Sequence, residues 1–172
     1  MNRCDRMVDV GRRHFIRGGA VAAVGAAAAA FGVGDARAAT LARVEYPSNR
    51  LANVADLAVN EPLEVAYPDA DAPGVLLKLG TPVEGGVGPD GDIVGFTTIC
   101  PHKGFPLSYS PEDRSFNCPG HYSRFDAEKG GQQIMGQATQ NLPQYRLRVD
   151  GDGNIFAEGV DELIYGRLSN VL

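Results

Sequence analysis

The chain has 172 residues, enough for one domain with a small insert. It carries 16 basic and 21 acidic side chains, a formal net charge of −5, which argues against nucleic acid as a partner. Gly 22, Pro 11, no Trp and a charged fraction of 22% exclude a fibrous repeat and give no sign of disorder.

Residues 1–38 read as an export leader rather than as part of the fold. Asn2 to Arg17 is basic, with Arg3, Arg6, Arg12, Arg13 and Arg17. Gly18 to Gly34 follows as 17 uncharged, alanine-rich residues, and Ala36-Arg37-Ala38 then offers an A-x-A cleavage site. The apolar run is too short and too weakly apolar for a stable membrane span, which needs about 20 strongly apolar residues. Arg12-Arg13-His14-Phe15-Ile16-Arg17 resembles the twin-arginine export motif. That resemblance implies a periplasmic protein that crosses the membrane already folded, as proteins loaded with a cofactor in the cytoplasm do. Without residues 1–38 the chain keeps 10 basic and 18 acidic groups. So acidic a domain suits either a partner with a basic face or solubility alone.

Beyond the leader the pattern is strand and turn. Val54 to Val59 is at most a short helix, and no convincing amphipathic helix appears elsewhere. Val75 to Leu79 and Asp92 to Ile99 are short β-rich runs, separated by a Gly/Pro-rich loop from Gly80 to Gly91. Gln144 to Val149 is another such run. Asp150-Gly151-Asp152-Gly153-Asn154 is a strong turn, and Ile155 to Glu158 returns as the hairpin partner. The expected class is all-β.

The chemistry lies between these strands. Of three Cys and three His, Cys4 and His14 fall in the leader. The other four are Cys100, His102, Cys118 and His121, which read C-x-H, fifteen residues, C-x-x-H. Three arrangements are open. One disulfide would account for the two Cys in an exported domain, but not for both His standing beside them. A structural zinc site would use all four, although zinc modules of that composition group Cys with Cys and His with His. A Rieske [2Fe–2S] centre also uses all four, with two Cys on one iron and two His on the other, and two interleaved C/H loops achieve that sorting. The spacing favours this last arrangement. Pro101, Gly104, Pro119 and Gly120 make both loops tight.

The stretch Cys100 to Asp126, followed by Asn141-Leu142-Pro143-Gln144-Tyr145, resembles the Rieske family. Within that family the wording CPHKGF and CPGHYSRFD, the small size and the leader resemble the small subunit of arsenite oxidase. The resemblance runs from about Thr40 to Leu172. It implies an antiparallel β-sandwich or barrel base (about 40–95 and 127–172) carrying a two-loop cluster subdomain (about 96–126). It implies Cys100, His102, Cys118 and His121 as ligands of one [2Fe–2S] cluster. Phe105, Pro106, Leu107, Tyr122 and Phe125 are expected to cover the cluster, and Lys103 to be a solvated neighbour. Rieske proteins of bc complexes carry an extra Cys in each loop. Phe105 and Gly120 hold those positions here, so that bridge is absent. Ser123 matches a serine that reaches the cluster sulfurs in bc-type proteins, whereas Phe125 replaces their tyrosine. One hydrogen bond to sulfur is thus missing, which implies a potential below that of bc-type centres.

The implied function is electron relay. The chain would take electrons from a molybdopterin-containing large subunit and pass them to a soluble cytochrome c or copper protein, with no substrate site of its own. A bc-type subunit, a stand-alone oxygenase ferredoxin and a structural zinc module remain as alternatives.

Overall fold

The computed structural model describes residues 45–171. The leader expected over residues 1–38 lies outside them. Among the described residues, ten short strands form three antiparallel sheets. In chain order they are β1 (Asn49–Asn53), β2 (Leu63–Ala66), β3 (Pro73–Lys78), β4 (Ile93–Thr97), β5 (Ser108–Ser110), β6 (Ser115–Asn117), β7 (Arg124–Asp126), β8 (Gln132–Met135), β9 (Tyr145–Val149) and β10 (Asn154–Val160). The sheets have the orders β1-β10-β9, β2-β3-β4 and β5-β6-β7-β8. A bridge between Phe96 and Gln144 ties β4 to β9 and so joins the first two sheets into one base.

The apolar runs follow from burial on both faces. Leu76 of β3 joins Ala52, Ile93 and Ile155 in one core, while Val75 and Leu77 turn the other way into a second core with Val94 and Phe96. Every residue of β4 is buried. A strand covered on both sides loses the polar alternation of a half-exposed one, which is why Val75 to Leu77 is continuously apolar, with half-buried Lys78 ending the strand. Strand β9 keeps the alternation, with Arg146 and Arg148 outward and Tyr145 inward.

The β9–β10 hairpin turns on Asp150. Its Oδ1 accepts the N–H groups of Asp152 and Asn154, both at 2.9 Å, and Gly153 supplies the positive φ of 80°. The helix considered for Val54 to Val59 shrinks to one 3-10 turn, Val54–Asp56, capped by reciprocal bonds between Asn53 and Asp56. Val59 instead bridges to Lys78 and ends the turn. The third sheet carries the cluster loops, and it continues through β8 to Met135, past residue 126. No helix among the described residues is long and apolar enough to cross a membrane.

Candidate metal centre

Both Cys/His loops have the same construction. In the first, the Cys100 N–H donates to the Phe105 carbonyl at 2.8 Å, and the Gly104 N–H returns to the Cys100 carbonyl at 2.8 Å. In the second, the Cys118 N–H donates to the Ser123 carbonyl at 2.9 Å, and the Tyr122 N–H returns to the Cys118 carbonyl at 3.1 Å. Each loop therefore closes on its own cysteine. The fifth residue of each has a left-handed backbone, φ 71° at Gly104 and 61° at Tyr122.

The donors sort into two pairs. Cys100 and Cys118 are buried and unbridged, and Cys118 is near enough to raise the Cys100 thiol. The His102 and His121 rings stand 4.7 Å apart, centroid to centroid, with planes at 74°. A single zinc ion would need all four donors gathered on one point. Thiols in one pair and imidazoles in another suit two irons.

The unfilled valences point the same way. Nδ1 of His102 is buried without a hydrogen-bond partner, a state polar atoms rarely keep unless something else binds them. Burial pushes the Cys100 thiol above its ordinary value; the N–H groups of His102 and Lys103 pull it down, and Cys118 raises it again. Loading iron must therefore displace a proton from the buried Cys100 thiol. The residues present fit a [2Fe–2S] cluster held by Cys100, Cys118, His102 and His121.

The remaining neighbours divide by exposure. Ser123 is fully buried, and its Oγ accepts the N–H groups of Gln137 and Ala138, each at 3.0 Å. Phe125 is fully buried in the same core as both cysteines. Leu107 is partly buried against that core, while Pro106 is exposed. Phe105 is 42% exposed, with its ring edge-on to His121 at 5.8 Å and packed on Gly120, where a Cβ would stand 2.8 Å from the ring. Tyr122 does not cover the centre as expected: it is 74% exposed. The left-handed backbone of residue 122 swings its side chain outward. Lys103 is exposed.

Two supports were not legible in the sequence. Tyr165, from beyond β10, lies against Gly104, where a Cβ would come within 2.7 Å of its ring. The segment Gly136 to Ala138 braces the second loop through Ser123. Only the glycine at 136, after an apolar pair, hinted at a close approach.

A family model for the Rieske [2Fe-2S] domain matches residues 49–146. Iodate reductase subunit IdrB of Denitromonas iodatirespirans is 43% identical over 131 residues, covering 74% of this chain and 70% of that protein. The protein of the same name from Pseudomonas sp. (strain SCT) is 39% identical over 158 residues, covering 90% and 81%. The cytochrome bc1 complex Rieske iron-sulfur subunit of Corynebacterium efficiens is 39% identical over only 70 residues, 40% of this chain and 17% of that one. Among solved structures, the soluble domain of Rieske protein II (soxF) from Sulfolobus acidocaldarius aligns with a TM-score of 0.64 at 23% identity, covering 71% and 82%. At that identity the likeness speaks for the fold alone. With the paired donors and a family match across both loops, this chain belongs to the Rieske [2Fe–2S] family, and a Rieske-type cluster is its cofactor.

Proposed function

We propose that this chain is the electron-transfer subunit of an exported molybdopterin oxidoreductase acting on a small oxoanion, with iodate the first substrate to test. The observation that carries the reading is identity of 43% and 39% to two iodate reductase subunits across most of this chain. Arsenite oxidation is the second reading, favoured by the loop wording CPHKGF and CPGHYSRFD. Both substrates are oxoanions whose conversion moves electrons between a catalytic subunit and a one-electron carrier. A bc-type role is disfavoured, because Phe105 and Gly120 stand where that class has its bridging cysteines. The twin-arginine leader makes the periplasm the proposed site, and a soluble cytochrome c or copper protein the proposed outer partner.

When bound, the cluster accepts and releases one electron at a time. The chain's own residues supply the rest. Cys100 and Cys118 hold their sulfurs away from water. His121 is exposed and His102 half-buried, so the imidazole side faces the surface, where a partner approaches. Phe105 shields one edge of His121.

The test is to purify the full chain with its native partners, assay molybdenum, and follow the cluster by low-temperature EPR. In an iodate reductase the reduced signal is lost when iodate is added. In an arsenite oxidase, arsenite makes the signal appear in the oxidised complex. A complex without molybdenum, responding to neither anion, would defeat the reading.

A further inference from the structure

The two cluster loops differ at one informative place. The fifth residue of the first is Gly104 and that of the second is Tyr122, yet both have the same left-handed backbone. Glycine adopts that conformation freely, whereas a tyrosine is strained in it. Packing does not offset the strain, because the Tyr122 side chain is 74% exposed. Strain held beside a site, for a side chain that is mostly exposed, points to a use outside the domain.

The surroundings identify that use. Tyr122 directly follows the exposed His121, and Phe105, itself 42% exposed, leans on the same ring. Tyr165, 42% exposed, packs on Gly104 of the other loop. Met135, 49% exposed, pairs with Arg124 and precedes Gly136, where a Cβ would stand 2.7 Å from the Tyr122 carbonyl. Tyr122, Phe105, Tyr165 and Met135 are four of the eight large apolar side chains left exposed among the described residues. The loops themselves, residues 100–107 and 118–123, hold one charged side chain, Lys103.

We propose that Tyr122 is the central contact of an apolar rim on which the catalytic subunit sits permanently, with its ring anchored in that subunit beside His121. The occupant follows from the chemistry of the rim. A transient electron carrier is steered by charge, and the two loops at the centre of this rim carry only Lys103 in an otherwise acidic chain. Lasting subunit interfaces are more apolar and anchor on aromatic side chains. The inference rests on the functional reading above, that a catalytic subunit exists.

Tyr122→Gly separates a contact from a structural role, because it relieves strain while deleting the ring. The test uses the complex of the full chain with its catalytic subunit. In Tyr122→Gly the EPR spectrum and reduction potential stay as in wild type and the melting temperature does not fall. The dissociation constant of the complex rises at least about tenfold, and electron exchange with the catalytic subunit slows in step. Tyr122→Phe retains the wild-type affinity within about twofold, since the ring is the anchor. Unchanged affinity and exchange in Tyr122→Gly would overturn the proposal. So would an altered EPR spectrum, which would make Tyr122 a support of the cluster, or a Phe variant as weak as Gly, which would make the hydroxyl the contact. A wild-type complex lacking any molybdopterin subunit would overturn the functional reading first, and is told apart because it is seen before any variant is made.

Discussion

Ser123 shows how one side chain can aim a proton. Its Oγ already accepts two backbone N–H groups, from Gln137 and Ala138, so its own O–H is the donor left over, beside two buried cysteines. Ser123→Ala strands both N–H groups, at about 1–3 kcal/mol each, and removes that donor. Denaturation of the loaded protein should show the lost stability, and potentiometry a lower potential; an unchanged potential would mean the hydroxyl points elsewhere. Phe125 is the converse case, a buried ring in the same core as both sulfurs with no hydroxyl to offer. Phe125→Tyr should raise the potential by adding a bond to the reduced cluster, and a potential at or below wild type would contradict this. At this scale the sequence was highly legible. Cys and His carry chemistry that few other residues share, so two of each at these spacings were informative without any structure. Tyr122 was not legible, because its exposure depends on a backbone angle that residue type does not predict.

At the scale of elements, the two loops and the segment behind them form one unit. Gly136 has φ of 97°, and a Cβ there would run into the Ser123 backbone. Gly136→Ala should therefore destabilise the protein by roughly 2–4 kcal/mol and lower its iron content. A variant with full iron content and wild-type stability would mean this approach can relax. The strands were readable where burial was uniform or alternating, as at Val75 to Leu79 and Gln144 to Val149. The very short strands β5 to β7, three residues each, carry too few positions to show a period. The support from Tyr165 was invisible for another reason, since it comes from more than 60 residues beyond the loop it braces.

For the whole molecule, the fold is a frame that fixes the loops against the base. Tyr109 of β5 donates to Asn60 Oδ1 at 2.6 Å, and Asn60 Nδ2 donates to the Pro111 carbonyl at 2.9 Å, latching the cluster sheet to the base. Burial holds the Tyr109 and Tyr67 hydroxyls up at about 12, against an ordinary 10.0. A tyrosine raised in this way stabilises the fold fully below its unfolded pKa, and that contribution is lost as pH rises through the folded one. Stability should thus fall between about pH 10 and 12, read as a melting temperature that declines across that range; a melting temperature that holds constant through it would contradict the raised Tyr109 and Tyr67 hydroxyls. The all-β class was legible from turn residues and short apolar runs. The pairing order was not, since β1 pairs with β10 across the whole chain. The most direct test of the whole account is low-temperature EPR of the dithionite-reduced full chain, with iron and zinc assayed alongside. The account predicts two irons per chain and a rhombic signal with an average g below that of all-cysteine clusters, as imidazole ligation requires. A colourless, EPR-silent protein holding zinc would contradict it.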